Sequence, residues 1–285
     1  MTGLYLNPKT LDAALGHLSR QALTILAGGT DFYPARVGKP FDGDVLDLSR
    51  IDALRGITQT PSHWRIGALT TWSELIASPL PPLFDGYKSC GREVGGEQIQ
   101  NTGTLGGNLC NASPAADGTP CLMALDAEVE LASSAGARAM PVQAFVTGSR
   151  QTLKRQDELV TALLIPKRSQ DTRSAFLKLG ARRYLVISTV MIAGTLETDA
   201  AGCVSELRLS IGACSAAPLR LTALEQKLTG LKADAALAGR ITPSDLDSLS
   251  PISDVRGSAE YRAEAALELT RRLAAELAAG IADAG

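Results

Sequence analysis

The chain is 285 residues long, with 28 basic and 30 acidic residues and a net charge of -2. At roughly 100–200 residues per domain this length predicts two domains, and 45% hydrophobic residues predict a packed core in a globular protein. The charge balance excludes nucleic acid as the main partner, since that role needs a basic footprint, and it leaves no polybasic membrane anchor. The most apolar stretch, Leu185 to Ile192, is too short to span a bilayer, and Met1 to Lys9 lacks the pattern of a signal peptide. We therefore expect a cytoplasmic protein with no integral membrane segment. Cys90, Cys110, Cys121, Cys203 and Cys214 form no CxxC pair, and with only His17 and His63 beside them no metal site is predicted.

Thr10 has the chemistry of an N-cap, and Leu11, Ala14, Leu15 and Leu18 share one face of a first helix. Ala22 to Leu26 reads as a buried strand ending at Gly28-Gly29, and Val45 to Leu48 as a second. Arg65 to Leu69 follows as a strand. Thr71-Trp72-Ser73-Glu74 is a capping box that opens a short helix ended by Pro79. Phe84 to Gly96 is expected to be helical, and Asn101 to Asp117 to be one long polar loop. Val129 and Leu131 alternate with Glu128 and Glu130 in a half-buried strand, which turns at Ser133–Gly136 and pairs back over Ala139–Val142. Leu159 to Ile165 is a further strand. The polar stretch Lys167 to Arg173 marks a domain boundary. Beyond it, Ile187–Glu197 and Val204–Gly212 form a hairpin, helices are expected around Leu219–Leu228 and Asp234–Arg240, and a last helix runs from about Ala259 to Ile281.

Two glycine-bearing segments carry the chemistry. In Ala27-Gly28-Gly29-Thr30-Asp31, consecutive glycines let a ligand approach bare backbone, and successive N–H groups make a concave anion site suited to a diphosphate. Taken alone, the triplet reads first as a tight turn. No GxGxxG opens a helix and no GxxxxGK[ST] occurs, which disfavours a Rossmann site and a P-loop. The second segment, Asn101 to Asp117, concentrates glycines, amides and hydroxyls. As a bland solvated loop it would be long for a compact domain. Asp117 adds a pure acceptor suited to ribose or ribityl hydroxyls.

Together these residues resemble the FAD-binding medium subunit of the molybdenum hydroxylases, the xanthine dehydrogenase and aerobic carbon monoxide dehydrogenase group. Leu26 to Phe32 resembles that family's AGGTDL segment, and Thr102 to Asp117 resembles its TIGGNLANASPAAD segment almost residue for residue. Val45 to Ile51 followed by Leu54, Ile66-Gly67-Ala68 with Thr70-Thr71, Glu158 to Pro166, and Asp254 to Arg262 resemble further family segments, so nearly the whole chain is covered. Two departures stand out. Gln100 takes the place of an arginine common in the family, and Tyr184-Leu185-Val186 replaces a more polar run after Arg182-Arg183.

The resemblance implies an α+β fold: a two-lobed FAD-binding domain of the vanillyl-alcohol-oxidase/PCMH-like type over residues 1–168, with lobes of about 1–56 and 57–168. A C-terminal α+β domain like that of the CO dehydrogenase flavoprotein would span 169–285. It implies cofactor contacts from Leu26, Ala27, Gly28, Gly29, Thr30, Asp31, Phe32, Thr104, Gly106, Gly107, Asn108 and Ser113 along the cradle. Asp117 would hold a sugar-type hydroxyl, Val160 would pack at the isoalloxazine, and Lys178 would stand near the ring. A cation there would raise the flavin's reduction potential. Without the resemblance, Val160 is ordinary core and Lys178 a solvated lysine on a strand. No catalytic residue and no metal ligand is assigned to this chain. The implied role is electron transfer from two [2Fe-2S] clusters on a small partner subunit to FAD and on to a terminal acceptor. The molybdenum cofactor would sit on a large partner subunit, in a dimer of heterotrimers. The alternatives are a standalone FAD oxidoreductase acting on a small substrate, and a non-catalytic assembly subunit.

Overall fold

The computed structural model describes residues 3–38 and 41–279. The first elements form a small parallel sheet backed by a helix. They are β1 (Tyr5–Leu6), α1 (Leu11–Leu18), β2 (Thr24–Leu26) and β3 (Val45–Asp47), with strand order β1-β3-β2. The expected cap of α1 is present: the Thr10 hydroxyl accepts from the Ala13 N–H, and Ala14, Leu15 and Leu18 are buried. Asp47 is buried at the end of β3, where it accepts from the Ser49 N–H at 2.8 Å and from the Tyr5 hydroxyl. Burying a carboxylate is costly without such donors, so this residue ties the end of the central strand to β1.

A five-stranded antiparallel sheet follows. It contains β4 (Ile57–Gln59) and β5 (His63–Gly67), then, after five helices, β6 (Glu128–Ser133), β7 (Gly136–Pro141) and the central β10 (Leu159–Pro166). Its strand order is β4-β5-β10-β6-β7. The apolar run of β10 is buried on both faces, as a central strand requires, whereas β7 is the largely exposed edge. Between β7 and β10 lie a helical turn, α7 (Val142–Phe145), and a hairpin of β8 (Val146–Gly148) and β9 (Gln151–Thr152). The intervening helices are α2 (Trp72–Ala77), α3 (Asp85–Glu93), α4 (Glu97–Gln100), α5 (Leu105–Asn111) and α6 (Gly118–Ala124). The capping box of α2 forms as the sequence predicts, with Thr71 and Glu74 bonding each other's backbone. The segment expected as one polar loop, Asn101 to Asp117, is instead helical over its middle, Leu105–Asn111. Thr104 takes the N-cap of α5, and Leu105 and Leu109 are buried, so packing overrides the weak helix propensity of paired glycines.

The third sheet is antiparallel, with order β11-β12-β13-β14: β11 (Arg173–Leu179), β12 (Val190–Thr198), β13 (Val204–Gly212) and β14 (Leu219–Arg220). Two helices, α8 (Thr222–Leu228) and α9 (Ala259–Ala279), complete this part. Alternation along β12 shows how the sheet is used. Met191 and Ala193 join the core cluster that holds residues of α3 and α6. Val190, Ile192 and Leu196 join the one that holds residues of α8 and α9. Both faces of the sheet are therefore covered, which explains the continuous apolar run Val190–Ala193 in β12. The helix expected over Asp234–Arg240 is only a 3-10 turn at Ala238–Arg240, because Asp234 turns its carboxylate to the Ala236 N–H and caps a turn instead. The expected end of α9 at Ile281 lies outside the described residues. No helix among the described residues is long and apolar enough to cross a membrane.

Candidate functional site

A cleft of about 530 Å³ lies between the first two sheets. Ala27, Gly28, Gly29, Thr30, Asp31 and Phe32 line it after β2. Thr104, Gly106, Gly107 and Asn108 contribute from the start of α5, and Val160 from β10. Three spans far apart in the chain thus meet at one site. Val160 reaches it through a β-bulge: the pairing of β10 with β6 shifts register between Val160 and Ala162, and such a bulge re-aims the side chain beside it.

The two glycine segments do different work. Gly28 packs so closely against the turn before α5 that a Cβ would collide with the Thr102 carbonyl, so only glycine allows the two segments to touch. Gly29 has a φ of 72°, where a Cβ would also meet the Tyr33 ring at 2.7 Å. Among the described residues, the N–H groups of Gly28, Gly29, Thr30, Asp31 and Phe32 donate to no backbone or side-chain acceptor. Five successive free donors beside a cleft make an anion cradle. At the start of α5 the donors are already used. Leu105 N–H bonds the Thr70 carbonyl, Gly106 N–H the Ala68 carbonyl and Gly107 N–H the Thr104 hydroxyl. This segment walls the cleft; the first loop has the open donors.

Charge agrees with that polarity. The charged side chains lining the cleft are Asp31, Arg36, Arg150 and Lys154, an excess of two positive charges in a chain that is net negative. Arg36 stacks 3.9 Å over the Phe32 ring and donates to its carbonyl at 2.6 Å. Trp72, Val94 and Ile99 give the cleft an apolar wall. Sequence reading did not find these residues, nor the three cations, because no local pattern marks a side chain that reaches a site from another sheet. Cys110 also lines the cleft, and burial pushes its thiol up to about 11, so it stays protonated and non-nucleophilic near neutral pH. An elongated, phosphate-bearing ligand with an apolar ring system fits these walls.

Four sequence-predicted residues do not line the cleft. Leu26 is buried in β2, and the Ser113 hydroxyl accepts from the Ala115 N–H at 3.3 Å. Asp117 and Lys178 pair with each other. Lys178 Nζ lies 2.6 Å from Asp117 Oδ2, and the Ser188 hydroxyl donates to Oδ1. Burial raises the Asp117 carboxyl above its ordinary range, against the pull of Lys178 and Ser188. The pair sits just behind the cleft wall. Lys178 also reaches the Glu93 carbonyl, next to Val94, and Gly118, next to Asp117, packs against Asn108. Among the described residues no group of three or more His, Cys, Asp or Glu could hold a metal ion.

Comparison with known proteins gives this geometry its family. Residues 1–168 match the FAD binding domain in molybdopterin dehydrogenase, and residues 175–277 match the CO dehydrogenase flavoprotein C-terminal domain. The chain is 31% identical over 266 residues to a putative xanthine dehydrogenase FAD-binding subunit of Escherichia coli (strain K12), covering 90% of this chain and 88% of that one. It is 31% identical over 280 residues to the nicotinate dehydrogenase FAD-subunit of Eubacterium barkeri, covering 93% of each. Among solved structures, a chain of reconstituted CO dehydrogenase from Oligotropha carboxidovorans superposes with a TM-score of 0.89 at 27% identity, covering 98% of both chains. With its free amide donors, positive cleft and apolar wall, the chain belongs to the family of FAD-binding subunits of molybdopterin dehydrogenases, the oxidoreductases from which the sequence resemblance was drawn.

Proposed function

We propose that this chain holds FAD as the electron-transfer subunit of a heteromeric molybdenum hydroxylase. It would take electrons from [2Fe-2S] clusters of a small partner subunit and pass them to a terminal acceptor, with the molybdenum cofactor on a large partner. The observation that carries the reading is the run of five unpartnered N–H groups, Gly28 to Phe32, in a cleft with excess positive charge. That pairing suits a diphosphate. The designation of relatives as subunits and medium chains supports an assembly with further chains.

Bound FAD supplies the redox chemistry; the chain binds, orients and tunes it. The first loop accepts the diphosphate, the α5 segment walls the cleft, and Val160 presents an apolar surface for a ring. Lys178 and Asp117 stand behind the wall at the end nearest β11, where they set the local potential. The residues predicted from the resemblance, Leu26 and Ser113 included, belong to this reading as the cradle and its immediate support. The division into an FAD domain over 1–168 and a C-terminal domain over 169–285 belongs to it as well, supported by family models spanning 1–168 and 175–277.

The test is purification of the native protein with whatever chains accompany it. The expected result is one flavin per chain, released as FAD on denaturation, in a complex with molybdenum- and iron–sulfur-bearing subunits. A single chain turning over substrate without partners would sink the complex in favour of a standalone oxidoreductase. Absence of flavin from the intact complex would sink the cofactor assignment.

A further inference from the structure

Arg150 stands at the tip of the β8–β9 hairpin, in the third position of the turn Gly148-Ser149-Arg150-Gln151. Its φ is 56°, in the left-handed region that glycine or asparagine usually fills at such a place. The strained residue is held on two sides. Its N–H donates to the Ala112 carbonyl at 2.8 Å, and its Nη1 donates to Asn111 Oδ1. Ala112 is itself left-handed, at the end of α5. A backbone strained at a bulky residue and pinned by its neighbours is the signature of a side chain whose aim matters.

The guanidinium then has Nε and Nη2 left over. Among the described residues neither has an acceptor, and no carboxylate pairs with Arg150. Arg65, Arg138, Arg168, Arg208, Arg220 and Arg262 by contrast have acidic partners, and Arg36, the other arginine of the cleft, is stacked on Phe32 and bonded to its carbonyl. Among the described residues Lys154, four residues on, also lacks a carboxylate, and its ammonium bonds only the Arg155 and Glu158 carbonyls. Both cations line the same cleft as the free amides of Gly28 to Phe32. Asn111, which holds Arg150, is one turn along α5 from Gly107, and a Cβ on Gly107 would lie 3.8 Å from that of Ala27.

We propose that Arg150 is a diphosphate-binding residue: held by Asn111 and Ala112, it supplies the charge that the backbone cradle lacks, with Lys154 as its lesser companion. This rests on the cleft's being the FAD site. The amides give direction and the guanidinium gives charge, and a charge-assisted bond is about twice as strong as a neutral one.

The experiment measures the dissociation constant for FAD on the full chain after flavin removal, by quenching of flavin fluorescence, for the parent and for Arg150→Gly, Arg150→Asn and Arg150→Lys. Glycine and asparagine suit the left-handed backbone, so their melting temperatures are expected to hold or rise. The expected result is at least about tenfold weaker FAD binding in both, partial recovery in Arg150→Lys, and a flatter dependence of affinity on salt than in the parent. FAD affinity unchanged by Arg150→Gly overturns the proposal. So does a loss that Arg150→Lys shares in full and that keeps the parent's salt dependence. A parent chain that takes up no FAD overturns the cofactor reading itself, and is told apart by the parent's behaviour alone.

Discussion

Lys178 Nζ lies 2.6 Å from Asp117 Oδ2, both side chains are buried, and the contact ties β11 to the start of α6 across 61 positions of sequence. A buried ion pair is weak evidence of stability in itself, but breaking it from one side leaves an uncompensated charge in a dry site. Lys178→Met is therefore expected to cost about 3–5 kcal/mol in urea unfolding. Adding Asp117→Asn to it should recover part of that loss, since the stranded carboxylate is gone. In the flavin-loaded protein, the single variant should also lower the reduction potential read by equilibrium titration, because a cation behind the ring is lost. An unchanged potential would remove Lys178 from the tuning role and leave it a structural one.

The cradle gives a second prediction. Gly28→Ala places a methyl group against the Thr102 carbonyl, where neither backbone has room to move. The chain should retain its far-ultraviolet circular dichroism yet bind little or no FAD, as measured by flavin-to-protein absorbance. Wild-type flavin content in this variant would show that the loop is not the binding surface.

Glu158 sits at the head of β10, two residues before Val160, and is almost wholly buried. It receives Arg138 Nε at 2.6 Å, the Arg155 N–H at 2.7 Å and Arg155 Nε at 2.9 Å. The bond from Arg138, opposed by burial and aided by Arg155, holds its carboxyl down at about 2 against an ordinary 4.5. A carboxyl lowered by folding stabilises the protein above its unfolded pKa and loses that contribution as pH falls through the folded value. Glu158→Gln should thus destabilise by about 2–3 kcal/mol at neutral pH. The gap between variant and parent should close between about pH 4.5 and pH 2. Denaturant midpoints across that range provide the measurement; a gap independent of pH would contradict the assignment.

Asp126 joins the second sheet's neighbourhood to the third. Its backbone is left-handed, with φ of 50°, and its carboxylate accepts from Arg168 at 2.7 Å, from Arg220 at 2.6 Å and from Arg208. Asp126→Asn keeps a residue suited to that backbone and removes only the charge. Arg168 and Arg208 then keep Glu206 between them and Arg220 keeps Glu225, but the one carboxylate that joins all three is lost. Calorimetry should show a melting temperature lower by several degrees, with the transition broadened or split as the third sheet loosens from α6. A single, unshifted transition would show that the apolar contacts of α3 and α6 alone hold that sheet.

Much of the framework was legible in the sequence because it depends on neighbours along the chain. The Thr10 and Thr71 caps, the β6–β7 turn and the apolar run of β10 each express a local period or a local hydrogen bond, and all of them form. The polar segment around Gly106-Gly107 reads as loop in the sequence but folds as a helix over Leu105–Asn111. Its helix is decided by Leu105 and Leu109, which the rest of the core buries; the propensity of the segment itself is poor. Asp234–Arg240 failed in the opposite direction, since a side chain of the segment capped a turn and ended the helix before it began.

The sequence by itself determined the two glycine segments, the family they resemble and the kind of ligand they suit. Bare backbone and small polar side chains are properties of composition in a short window. Only the tertiary structure decided which donors remain free. The amides of Gly28 to Phe32 stay open, while those at the start of α5 are taken by the Thr70 and Ala68 carbonyls. It also turned Asp117 from a free acceptor into Lys178's partner and brought Arg150 to the cleft from a distant hairpin. Hydrogen bonds and ion pairs are settled by distances of a few ångströms between segments that packing brings together, and no local pattern along the chain encodes those distances.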